Sequence, residues 1–105
     1  MDSAASGRYV ALVTGGASGI GREIALAYAA KGWDVICQYH SSPKAEEVKR
    51  EAQALGVSCE LVRADLGDRA QTEALASSLA ARRVDALVNN AGSAVVSRPM
   101  AELTF

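Results

Sequence analysis

The chain has 105 residues, half of them apolar, and a formal net charge of −1 at neutral pH. That length holds one small domain, able to bury roughly two-thirds of the surface its unfolded chain exposes. The near balance of charge gives no basic footprint for nucleic acid or an anionic membrane. No apolar stretch approaches the about 20 residues that span a bilayer, and residues 1–8 read as a flexible polar tail without a signal-peptide core. Residues 9–105 are then the domain. The single histidine and the lack of a Cys-x-x-Cys pair argue against structural zinc. Cys37 and Cys59, each among apolar neighbours, suit the reduced, buried thiols of a cytoplasmic protein.

The first predicted strand, Tyr9 to Val13, is a near-continuous apolar run, as expected of a strand buried on both faces. It leads through Thr14-Gly15-Gly16-Ala17-Ser18 into a helix predicted from Gly19 to Lys31, where Ile20, Ile24, Ala25, Tyr28 and Ala29 recur along one face and Gly32 provides the stop. A glycine-rich turn from strand to helix aims backbone N–H groups and the positive end of a helix dipole at one point. Phosphate or pyrophosphate is the usual occupant of such an anion site. The glycines Gly15, Gly19 and Gly21 follow the spacing G-x-x-x-G-x-G, and no Lys-Ser or Lys-Thr pair comes after them, which disfavours a P-loop.

The second strand is predicted over Val35 to Tyr39. Ser42 is placed as an N-cap with Pro43 at the first helical position, and Ala45, Val48, Ala52 and Leu55 form the apolar stripe of a helix ended by Gly56. The charges from Lys44 to Glu51 then lie on its solvated face. A third strand spans Val57 to Ala64, and Asp68 with Gln71 can form a capping box for a helix whose core face is Leu75, Ala76 and Leu79. Val84 to Asn89 is the fourth strand. This alternation predicts an α/β, Rossmann-like doubly wound parallel sheet in the order 3-2-1-4, with ligand outside the strands' C-terminal ends.

Three motifs, in this order, resemble the short-chain dehydrogenase/reductase family: the Thr-Gly-x-x-x-Gly-x-Gly loop from Thr14 to Gly21, Asp65-Leu66 after the third strand, and Asn89-Asn90-Ala91-Gly92 after the fourth. The resemblance covers nearly the whole chain and corresponds to the first half of the family's domain. It implies a cytoplasmic NAD(P)-dependent oxidoreductase, homo-oligomeric when complete, that moves a hydride between nicotinamide and a small carbonyl or alcohol substrate. It also implies cofactor contacts from Gly15, Ala17, Ser18, Gly19, Ile20 and Gly21. Asp65 would accept from the adenine amino group, the Leu66 N–H would meet the ring, and Asn90, Ala91 and Gly92 would lie against the adenosine ribose. Thr14 would hold the turn through its hydroxyl, and Asn89 would lock its strand.

The family's catalytic serine and Tyr-x-x-x-Lys pair are expected beyond Phe105, since the stretch from Ser97 resembles the approach to the family's fourth helix. Tyr9, Tyr28 and Tyr39 are followed four residues later by Val13, Gly32 and Pro43, so no catalytic residue is assigned. A sheet ending at the fourth strand would leave a free edge open to another chain and uncover the apolar faces of Val13, Leu87 and Val88.

The end of the second strand selects the cofactor. An NAD-type site places a carboxylate there for the ribose 2′-OH, whereas this chain has Tyr39, His40, Ser41 and Ser42, with no acid before Glu46. Hydroxyls, an imidazole and a helix N-terminus favour a 2′-phosphate, hence NADP(H), with NAD(H) as the alternative. The basic residue common before the middle glycine in NADP-type members is Ser18 here, and Arg22 or Lys44 is the substitute. Each of these residues also has a plainer reading: packing glycines, a turn aspartate at Asp65, an exposed loop histidine at His40. Two rival functions follow, a non-catalytic nucleotide-binding module and a methyltransferase, and in the latter Asn89-Asn90-Ala91-Gly92 has no role.

Overall fold

The computed structural model describes residues 7–80 and 82–90; most of the expected tail, and everything from Ala91 onward, lies outside them. The elements are β1 (Val10–Thr14), α1 (Gly19–Ala30), β2 (Asp34–Tyr39), α2 (Ala45–Ala54), β3 (Cys59–Arg63), α3 (Arg69–Ala80) and β4 (Ala86–Asn89). All strands pair in parallel in the order β3-β2-β1-β4. This is the Rossmann-like arrangement that the alternation predicts.

The sheet divides the core in two. On one face Ala25 and Ala29 of α1 and Val48 and Ala52 of α2 cluster with Ala11, Val13, Val35 and Cys37. On the other, Leu75 and Leu79 of α3 cluster with Val10, Leu12 and Ile36. Coverage on both faces explains why β1 is apolar at successive positions, and every residue of it is buried. Val13 therefore corrects the expectation of an uncovered face: it is fully enclosed, while Leu87 and Val88 are half-buried. Among the described residues β4 pairs only with β1.

Helix boundaries follow local chemistry. Gly32 and Gly56 close α1 and α2 with φ of +86° and +91°, a conformation that glycine adopts without steric cost. α2 starts at Ala45, later than the Ser42-Pro43 pair suggests, because Ser42 Oγ accepts from the Lys44 N–H at 3.2 Å in a separate turn. The capping box of α3 is half formed. Asp68 Oδ1 accepts from the Gln71 N–H at 3.1 Å, but Gln71 Oε1 turns to the Asp65 N–H at 2.8 Å.

β1 and β4 are fastened at both ends. At the start, Asp85 Oδ2 accepts from the Val10 N–H at 2.8 Å, a bond that lowers the Asp85 pKa. At the finish, the Asn90 N–H donates to Thr14 Oγ1 at 2.9 Å, and the Thr14 hydroxyl lies 3.1 Å from Asn89 Oδ1. Thr14 thus ties its strand to β4. Trp33 packs between Tyr9 and Tyr28, with centroids 5.1 and 4.9 Å away. Cys37 and Cys59 are free and buried; the hydrogen bond to Cys59, together with burial, raises the Cys37 pKa. Among the described residues no helix is long and apolar enough to cross a membrane, and no cluster of metal-ligating side chains occurs.

Candidate functional site

Parallel pairing brings the C-terminal ends of all the strands to one edge of the sheet, and each predicted site residue in the described range lies at or after one of those ends. The chain leaves β1 through Gly15 to Ser18 and enters α1. Ser18 is its N-cap in an extended conformation (φ −155°, ψ 159°) and makes no side-chain capping bond. The first-turn N–H groups at Gly19, Ile20 and Gly21 have no intrahelical acceptor by helix geometry, so the positive end of the dipole stays open. Gly19 has φ +57° with open space where a Cβ would sit. Gly21 is different: a Cβ there would overlap the Gly15 carbonyl oxygen and lie 2.6 Å from Asn90 Nδ2. Ile20 is largely exposed, 72% of its surface reaching solvent beside this turn.

Next to the turn lies a cleft of about 470 Å³ bordered by Gly15, Ala17, Ser18, Tyr39, His40, Ser41, Ser42, Pro43 and Lys44. None of these residues is acidic, and Lys44 carries a positive charge. Ser42 Oγ donates to the Ala17 carbonyl at 3.3 Å, holding the two walls together. Arg22, one of two candidates for charge at this site, is committed elsewhere. Its guanidinium bonds Glu51 on α2, with Glu47 at 4.0 Å, and that hydrogen bond raises its pKa. Adjacent packing of α1 and α2 brings in these carboxylates, so of the two candidates only Lys44 borders the cleft.

At the end of β3, Asp65 Oδ1 accepts from the Gly67 N–H at 2.9 Å, which is the plain turn role. Its other oxygen, Oδ2, lies 3.8 Å from His40 Nε2 and joins this loop to the cleft. Leu66 is partly buried against the α3 side of the core, and its carbonyl accepts from the Thr72 hydroxyl at 3.3 Å. At the end of β4, Asn90 Nδ2 donates to the Gly15 carbonyl at 3.4 Å, so its side chain braces the glycine turn. Ala91 and Gly92 lie outside the described residues.

One residue with a clear part in this geometry was not singled out from sequence. Gln38 is 2% exposed, and its Oε1 accepts from the Gly15 N–H at 2.8 Å while its Nε2 donates to the Ala64 carbonyl at 2.6 Å. Its own carbonyl accepts from the Gly16 N–H at 3.0 Å. The available signal was an amide within the run Val35-Ile36-Cys37, since a polar side chain on a doubly covered strand must find partners.

Comparison with known proteins agrees with this geometry. The family model described as short chain dehydrogenase matches residues 9–105. An Escherichia coli K12 protein described as the uncharacterized oxidoreductase YohF is 38% identical over 99 residues, which cover 91% of this chain and 39% of that protein. The crystal structure of acetoin dehydrogenase from Enterobacter cloacae superposes with a TM-score of 0.72 at 36% identity, covering 90% of this chain and 38% of that one. A metagenomic short-chain oxidoreductase, solved in complex with NADP, superposes with a TM-score of 0.74 at 36% identity, covering 91% of this chain and 44% of the other. The chain thus spans less than half the length of the relatives it matches.

Proposed function

This chain belongs to the short chain dehydrogenase family, and from that premise we propose that residues 9–105 are the cofactor-binding half of an NADP(H)-preferring oxidoreductase. The reaction is hydride transfer between nicotinamide and a carbonyl or alcohol carbon of a small molecule, in a protein that is homo-oligomeric and cytoplasmic when complete. The observation that carries the cofactor reading is the cleft at the end of β2: it borders an uncapped helix N-terminus, contains Lys44 and has no carboxylate among its lining residues. A 2′-phosphate gains there from the dipole, the ammonium and the Ser41 and Ser42 hydroxyls, and no like charge on the lining opposes it. The complex of a structural relative with NADP agrees with this preference.

The residues present fit the group. The open space at Gly19 and the free first-turn N–H groups leave room and donors for a pyrophosphate. Gly15, Ala17, Ser18, Gly19, Ile20 and Gly21 would hold that part. Tyr39, His40, Ser41 and Ser42 would surround the 2′-phosphate, while Asp65, Leu66, Asn90, Ala91 and Gly92 would face the adenosine. The bound cofactor supplies the hydride chemistry; this half of the protein binds and orients it. Titration of the intact protein with NADPH and NADH tests the assignment. Tighter binding of NADPH is expected, and equal or tighter binding of NADH would overturn the preference.

A further inference from the structure

We infer that Gln38 is a positioning residue that fixes the spacing between the glycine turn and the loop carrying Asp65, and so aligns the two ends of one dinucleotide site. The inference rests on the cofactor reading above. Gly15 is the first residue after β1, and Ala64 immediately precedes Asp65 after β3. β2 lies between them in the sheet. The single amide of Gln38 spans that gap, taking the N–H of one flank and giving its own N–H to the carbonyl of the other. Only one orientation of the amide satisfies both partners, a donor on one side and an acceptor on the other. The bond from Gly16 to the Gln38 main chain holds the same turn from below, so two successive loop residues are referenced to one residue of β2. The side-chain bond also occupies the Gly15 N–H, so Gly15 would contribute close backbone approach rather than a donor to the pyrophosphate.

This arrangement has a specific energetic signature. A ligand that reaches both loops gains from their preset separation, because engaging one end places the other at a high effective concentration. A ligand confined to one loop gains nothing from that separation. Losing the bridge therefore weakens the whole dinucleotide more than its adenosine half.

The experiment compares NADPH with adenosine 2′-monophosphate, which has no 5′-phosphate to reach the glycine turn, on the intact protein carrying Gln38→Met, which keeps the approximate volume and removes both side-chain bonds. The expected result is roughly tenfold or greater weakening for NADPH against less than about threefold for the half-ligand. Equal weakening of the two ligands, or none, would overturn the positioning role. Wild-type protein that bound neither ligand would instead overturn the cofactor reading, and this inference with it.

Gln38→Glu keeps the question open to test should the methionine variant fail to fold. Its carboxylate still accepts from Gly15 but donates to Ala64 only when protonated. The ratio of variant to wild-type NADPH affinity should then recover as pH falls. His40 and Asp65, the titratable groups at the neighbouring loops, are common to both proteins and cancel in that ratio. A ratio independent of pH would mean that Gln38 merely fills space.

Discussion

Alanine at Gly21 separates a close-packing requirement from a conformational one. The added Cβ would overlap the Gly15 carbonyl oxygen and press on Asn90 Nδ2 at 2.6 Å. The first of these atoms is backbone, held by the neighbouring bond from the Gly15 N–H to Gln38. It cannot rotate aside as a side chain would. Overpacking of this kind costs about 1–3 kcal/mol, and the upper end applies because the obstacle is main chain. Alanine recovers up to about 1 kcal/mol through its better helix propensity, which leaves a net destabilisation of about 2 kcal/mol. The same displacement moves the turn that receives the pyrophosphate, so NADPH affinity should fall by at least about tenfold, the equivalent of 1.4 kcal/mol. Gly19→Ala is the control. Its Cβ would meet nothing within 4 Å, and its cost is the about 1–2 kcal/mol of a left-handed conformation alone. Denaturant unfolding of both variants and cofactor titration of Gly21→Ala provide the assay. Stability and affinity unchanged in Gly21→Ala would refute the packing argument.

Three further outcomes are expected. Tyr39→Asp adds a 2′-OH acceptor and a charge facing the cleft, so the ratio of NADPH to NADH affinity should fall, as measured by paired titrations; an unchanged ratio would move the 2′-phosphate elsewhere. Asp65→Ala removes the bond to the Gly67 N–H, an expected loss of about 0.5–1.5 kcal/mol of stability. Asp65→Asn keeps that acceptor, so weaker NADPH binding in the asparagine variant with unchanged melting would isolate a contact to the ligand. The Asp85 pKa is lowered by the bond from Val10, so folding favours its ionised form. Its contribution is fully present above the ordinary carboxylate range and is lost as pH falls through the depressed value. Asp85→Asn should therefore flatten the acid limb of stability against pH, and an unaltered limb would exclude this group as its source.

What the sequence revealed was chiefly what is local. The apolar run of β1 and the alternation of elements led directly to a buried central strand and the order β3-β2-β1-β4, and Gly32 and Gly56 marked helix ends. What it hid depends on the distance between elements. Arg22 looked available to a phosphate until the packing of α1 beside α2 delivered Glu51. Gln71 has the spacing of a capping residue for Asp68, yet Asp65 offers its N–H and takes the side chain instead. Gln38 read as one polar residue in a strand because its partners lie on the two flanking chain segments, and only the register of three strands brings them within reach. Side-chain partners across a sheet are not encoded in spacing along it.

The fastening of β1 to β4 also sets an order of events during synthesis. The Val10–Asp85 bond joins residues 75 positions apart, and ribosomes add roughly 5–20 residues per second. The central strand is therefore made first and waits for several seconds before its second neighbour exists. During that interval β2 can pair with one side, while the other presents unpaired N–H and C=O groups at the most apolar part of the chain. A folding sheet of this design is vulnerable at its middle, not at its rim, and residues 84–90 are the segment whose arrival ends the exposure.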